Sequence, residues 1–370
     1  MTRGIWMAMF TVSLATTITA CGPRHALHSG QRADSTKPPS SIAWHATKAS
    51  PFLPGDVLIA DAGSNRILLV TPQKKIVWQY PKPGQPSRLH DDDDVFFGPH
   101  FDEIITNQEG YNVVSILNFA SRKIVWNYGH AGVAGSRPGY LNTPDDAFLY
   151  AKPSGDVITL ADIKNQRILF IARKSKKIIK QYGETGVMAI DPPNTYSAPN
   201  GDFPAPHNGM LVTQINANDA VLLNAKNQVQ YTVHFPSQFY YPSDANFTPH
   251  GNIIVAFYTN PGAVVEMSPT GKVLWTYHVQ HGAGKLNQPS LAVKLSNGMV
   301  LLNDDHNDRV IVINPKTQRI VWQYGHTGVP GTAPGYLNIP DGLDLLPIGV
   351  IPGGKNPIRH HLWNYAGDGL

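Results

Sequence analysis

The chain has 370 residues and one cysteine, Cys21. A lone cysteine makes no internal disulfide, so the fold must stand on its packed core. Charge is also scarce. Asp, Glu, Lys and Arg together make up 15% of the residues, and 30 bases against 26 acids leave a formal net charge of +4. An excess so small, with both signs mixed along the chain, argues against a nucleic-acid partner. After the first twenty residues no stretch is apolar enough to span a bilayer. The sequence holds no Gly-x-Ser-x-Gly, no Cys-x-x-Cys, no phosphate loop and no His-Glu-x-x-His. What it has in quantity is turn chemistry: 33 Gly and 31 Pro, a composition that suits many short strands better than long helices.

The N-terminus reads as an export signal. Arg3 supplies a positive start, residues 5–18 are mostly apolar but too short to span a bilayer comfortably, and Ile18-Thr19-Ala20-Cys21 follows. That ending resembles a bacterial lipobox, which implies that Cys21 is lipidated and becomes the mature N-terminus. The expected divisions are a signal peptide with lipobox at 1–21, a flexible linker at 22–51, a folded domain at 52–349 and a C-terminal tail at 350–370. The linker carries Ser, Pro, Lys, His and Gln without apolar periodicity. The expected location is the outer side of the cytoplasmic membrane, or the periplasm or outer membrane, with the lipid as the membrane contact.

Residues 128–145 (YGHAGVAGSRPGYLNTPD) nearly repeat as residues 324–341 (YGHTGVPGTAPGYLNIPD). Agreement over so loop-like a sequence marks an internal repeat. Around it runs a recurring phrase of short β-branched runs bounded by turn formers, as in 56–61, 66–70 and 76–80. Six such units follow one another at roughly 43 to 54 residues, the period of propeller blades. The last run of each unit carries an equivalent position, read as Trp78, Trp126, Lys180, Thr232, Trp275 and Trp322. A large ring at a once-per-unit position suits packing between neighbouring blades.

A fourth run precedes each of units two to six, at 95–97, 145–150, 200–206, 244–247 and 291–295. A sixth, at 341–346, has no unit after it, and unit one has none before it. The economical solution is an all-β, six-bladed propeller of four-stranded blades. Its ring is closed by the C-terminal strand completing the first blade, which removes exposed strand edges.

The Gly-x-x-Gly and Pro-Gly-Tyr-Leu-Asn-x-Pro-Asp phrases, with the Asp61/Arg66, Asp162/Arg167 and Asp304/Arg309 spacings, resemble NHL repeats. Residues 268–275 (SPTGKVLW) and 314–322 resemble the blade repeat of PQQ-like quinoprotein propellers, and the turn-strand-Trp unit is similar to arylsulfotransferase-like propellers. The resemblance implies a propeller. It leaves activity open, because such families include enzymes and binding modules. The Asp/Arg pairs, five apart across a tight turn, suit turn-pinning by charge-assisted hydrogen bonds.

The sharpest charge cluster is Asp91 to Asp94, just before an innermost strand. The equivalent strand starts give a ring of oxygens: Asp93, Asp145, Asn200, Asp244, Ser290 and Asp341. The duplicated loops around His130 and His326 are expected as walls. Within the ring, Asp93, Asp145 and Asp341 are the candidate metal ligands, with Ca²⁺ the metal that wants such oxygens. Two other readings share these residues: an uncharged ligand held by the same groups, or strand starts capped by their own side chains. The leading expectation is a monomeric ligand- or partner-binding module at the cell envelope, taking a small molecule or an envelope protein. The alternative is an enzyme: a quinoprotein-like oxidoreductase with PQQ, an arylsulfotransferase-like protein or a metal-dependent lyase. His90 and His306 are further titratable groups in polar loops.

Overall fold

The computed structural model of the chain describes residues 47, 48 and 50–354. The expected signal sequence with Cys21, most of the expected 22–51 linker and residues 355–370 of the tail lie outside the described residues. Among those described, no helix is long and apolar enough to cross a membrane.

Six four-stranded antiparallel sheets make the ring. Blade two is typical: inner strand Asp92–Phe97, then Glu103–Gln108, Val113–Asn118 and outer strand Lys123–Gly129. The inner strands of blades three to six are Pro144–Tyr150, Pro199–Ala205, Pro242–Phe247 and Ala292–Lys294. Blade one takes its inner strand, Pro340–Pro347, from the far end of the domain. It pairs antiparallel with Gly55–Asp61, placing Leu343 opposite Ile59. The inner strands contact one another in ring order, and blade six returns to the closing strand of blade one. Closure by the C-terminal strand is therefore the observed arrangement.

Local chemistry explains the turns between second and third strands. Each of four ends on a left-handed residue, Asn65, Asn112, Gln166 or Asp308. Asn and Asp tolerate that backbone better than most residues. Three of these turns are pinned by ion pairs: Arg66–Asp61 at 2.5 Å, Arg167–Asp162 at 2.8 Å and Arg309–Asp304 at 2.7 Å. The second carboxylate oxygen accepts a backbone N–H from the incoming inter-blade loop, at Asn338 (2.6 Å), Asn142 (2.7 Å) and Asn287 (2.7 Å) respectively. The pairs thus fasten each blade to the loop that feeds it.

The tryptophans join the blades. Indole N–H groups donate to turn carbonyls of the following blade: Trp78 to Phe119 (2.8 Å), Trp126 to Arg173 (2.9 Å), Trp275 to Pro315 (3.2 Å) and Trp322 to Pro72 (2.8 Å). The last of these bonds joins blade six to blade one. One assignment from the sequence is corrected. In every outer strand the equivalent residue stands just after a bulged residue, and in blade four that residue is Tyr231, opposite Leu222, not Thr232.

Candidate functional site

The inner strands of blades three, four and five open on Pro144, Pro199 and Pro242, each preceded by a residue in the left-handed region: Thr143, Ala198 and Tyr241. A bulge follows directly. Pairing shifts between Asp92 and Val95, Asp145 and Phe148, Pro199 and Asp202, and Pro242 and Ala245. A bulge breaks the strict alternation of side chains. Consecutive acids, which a regular strand would send to opposite faces, here converge.

The convergence is tight. Asp93, Asp94 and Asp145 each bring one carboxylate oxygen within 4.8 Å of the others, and so do Asp94, Asp146 and Asp244. Asp94 belongs to both groups. Asn107 donates to Asp93 (2.9 Å), to Asp145 (3.3 Å) and to the Pro144 carbonyl (3.3 Å). Asn200 donates to Asp244 at 3.3 Å. The Asp145 carboxylate accepts the N–H of Asp146 at 3.0 Å. Neither oxygen of Asp146 receives a hydrogen bond, and one oxygen of Asp94 receives none. Among the described residues no lysine or arginine pairs with any of these five acids.

Burial is the main cause that raises the acids, and neighbouring like charge adds to it. Asp93, Asp145, Asp146 and Asp244 are held well above the carboxylate range. Asp94 is raised to about 6, and Glu109, from the turn beyond the second strand of blade two, to about 7. At an effective dielectric constant of about 20, two such charges about 4 Å apart repel by about 4 kcal/mol. The cluster therefore does not carry its full negative charge unaided: it holds protons or it holds a cation.

The residues read from the sequence fall as follows. Asp93 and Asp145 meet directly through Asn107, Asn200 meets Asp244, and the Ser290 hydroxyl reaches the Asp341 carbonyl (2.8 Å) and the Asp305 carboxylate (3.1 Å). Asp341 is the foremost like charge on Asp93, but its carboxylate lies outside both groups of close oxygens. His130 stacks on Tyr140 and His326 packs on Tyr336, with ring centroids 4.0 and 4.2 Å apart, so each is engaged within its own loop. In the same loops the Tyr128 hydroxyl accepts the Gly139 N–H (2.8 Å) and the Tyr324 hydroxyl that of Gly335 (3.1 Å). These bonds account for much of the duplicated wording. Asp94, from the Asp91–Asp94 run, and Asp146, beside Asp145, join the two groups of close oxygens, and Asn107 and Glu109 complete the cluster without having been selected from the sequence. Tyr241 and Tyr258, with ring centroids 5.8 Å apart, are both raised by burial first and then by cluster carboxylates, including Asp93 and Glu109, so they flank it.

No protein-family model matches the sequence, and no curated protein matches it. Solved structures do. A protein of unknown function from Bacteroides caccae aligns with TM-score 0.53 at 15% identity, over 78% of this chain and 98% of that one. A chain of a nidogen/laminin complex aligns with TM-score 0.51 at 11% identity, over 78% and 97%. A streptogramin B lyase aligns with TM-score 0.48 at 14% identity, over 75% and 85%. At such identities the two likenesses above a TM-score of 0.5 bear on the fold alone.

Proposed function

We propose that this protein is an exported, lipid-anchored binding module whose channel mouth holds a hard divalent cation and, through it, an oxygen-rich ligand. One observation carries the reading: five carboxylates converge with no basic partner, and the two buried oxygens of Asp146 receive no amide, hydroxyl or basic donor and face Asp244 acid to acid. Buried polar atoms are ordinarily satisfied, so such an orphan calls for a proton or an ion. Calcium takes six to eight oxygens in flexible geometry, and carboxylate, amide and backbone carbonyl oxygens are all present here. Asp93, Asp94, Asp145, Asp146 and Asp244 are the proposed ligands, and Tyr241 and Tyr258 give the bound molecule an aromatic wall. The bound ion would neutralise the cluster and lend its open positions to ligand oxygens. PQQ carries several carboxylates and would meet like charge at this mouth, so the donor set favours the cation without the quinone.

The test is a thermal melt of the purified protein with chelator, Ca²⁺, Mg²⁺, Zn²⁺, or PQQ plus Ca²⁺. A cation at about 100 times its Kd stabilises the native state by about 2.7 kcal/mol. A clear rise with Ca²⁺ over chelator supports the reading, and indifference to every cation overturns it. The anchor rests on the Ile18-Thr19-Ala20-Cys21 sequence. Cys21→Ser is expected to move the protein from the membrane to the soluble fraction, and continued membrane association would refute the anchor.

A further inference from the structure

Five of the six outer strands place an aromatic side chain at the step after the bulge: Trp78, Trp126, Tyr231, Trp275 and Trp322. Blade three places Lys180 there, opposite Phe170. The lysine copies part of the indole's role, since its Nζ lies 3.5 Å from the Ala225 carbonyl on the next blade. A lysine stem lacks the breadth of an indole. A cavity of about 180 Å³ remains between blades three and four, walled by Tyr150, Val157, Phe170, Tyr182 and Met210 and open to solvent past Ile179.

The rim of this cavity is basic. Lys152 and Lys180 both line it, and no carboxylate does. Two other bases between blades are neutralised: Lys294 by Glu266 at 2.9 Å, and Arg173 by Glu103 at 2.6 Å and Asp156 at 3.0 Å. Arg122 and Lys176 lie over Trp78 and Trp126 and donate to the Gln79 carbonyl and the Asn127 side chain, with no cavity described beside them. Lys180 lies over the rings of Phe170 and Tyr182 and donates to the Tyr182 hydroxyl at 2.5 Å. Asp202 lies behind Thr159, and its burial raises it well above the carboxylate range, so it adds little negative charge. Burial, then Lys180, lowers the Lys152 ammonium, which a bound anion would relieve.

Size and chemistry agree on an occupant. An apolar cavity of about 150 Å³ admits benzene. Aromatic walls favour a flat ring, and two unneutralised ammonium groups at the rim favour an anion beside it. We propose that this slot binds a single-ring aromatic carboxylate, with the ring in the space an indole fills elsewhere and the carboxylate at Lys152 and Lys180. The site is separate from the acidic mouth and independent of the cation.

Benzoate and benzyl alcohol are the probes, titrated by calorimetry into the full chain with chelator present throughout. Benzoate is expected to bind at one site, and benzyl alcohol about tenfold more weakly, the difference expected from one charge-assisted hydrogen bond. Lys180→Trp fills the slot and should abolish benzoate binding while raising Tm. Lys180→Met keeps most of the space and, with Lys152 left at the rim, should reduce the preference for benzoate over the alcohol. An undiminished preference would overturn the role of Lys180, a readout that stands even if the tryptophan variant misfolds. Absence of benzoate binding at millimolar concentration, equal binding of the alcohol to the wild type, or undiminished binding to Lys180→Trp would each overturn the proposal.

Discussion

Gly342 stands directly against the backbone of Asp94: a Cβ placed on it would fall 2.3 Å from the Asp94 Cα. The closing strand of blade one and the inner strand of blade two approach here as only a glycine allows. Gly342→Ala should therefore force the two strands apart. Overpacking of this kind costs about 1–3 kcal/mol or more. A denaturant titration is expected to show a lower midpoint, together with weaker cation binding because Asp94 moves. An unchanged midpoint would mean that the strands separate freely.

Asp146→Asn keeps the shape of the side chain and removes one buried charge. In chelator the variant is expected to be at least as stable as the wild type, since neutralising an unpaired buried charge relieves repulsion. In Ca²⁺ the stabilisation seen with the wild type should shrink or vanish. Parallel melts in the two buffers check both halves. A full calcium response in the variant would remove Asp146 from the ligand set.

The acids of the mouth also set a pH dependence. Their folded-state pKa values are raised, so the native state binds more protons than the unfolded one over the interval. Such groups contribute stability that is present below the unfolded pKa, about 4, and is lost as pH rises through the folded values. For Asp94 and Glu109 those values are about 6 and about 7. In chelator, stability should fall between about pH 4 and pH 7. Saturating Ca²⁺ should flatten or reverse that slope, because the cation binds the ionised form. A chelated protein that gains stability across the interval would contradict the assignment.

Arg309 is 1% exposed, and its guanidinium bonds Asp304, the Ala283 and Lys285 carbonyls and the Thr327 hydroxyl. Arg309→Met leaves Asp304 buried without its counter-charge, a loss expected to cost about 3–5 kcal/mol. The matching change at Arg66, whose side chain is 11% exposed, should cost less because water reaches it. Chemical denaturation of the two variants compares them. Equal, small losses would show that the loops hold without the pairs.

Architecture was legible because it repeats. The orphan run at 341–346 disclosed ring closure, and the once-per-unit ring residue disclosed blade packing. Thr232 was read for Tyr231 because the run was counted from residue 230, one residue inside the strand Val229–His234; the bulge recurs at the same step in every outer strand and shifts none against another. The run Asp91 to Asp94 was legible as the sharpest charge cluster, but which of its acids converge was not, since a regular strand would turn neighbours to opposite faces and the bulge brings Asp93 and Asp94 together. Asn107 and Glu109 reach the mouth from a second strand and the turn after it, and no local pattern marks such a meeting. The repeated wording of the loops around His130 and His326 is met in part by stacking and hydrogen bonds within each loop.

The pairing of Gly55–Asp61 with Pro340–Pro347 carries a consequence for biogenesis. Blade one stays three-stranded until nearly the whole domain has been synthesised, and its missing strand is also the neighbour of the acidic start of blade two. Contacts of such sequence separation form late and slowly. A chain built this way remains unfinished while it is being made, and its first blade locks only when its last strand arrives.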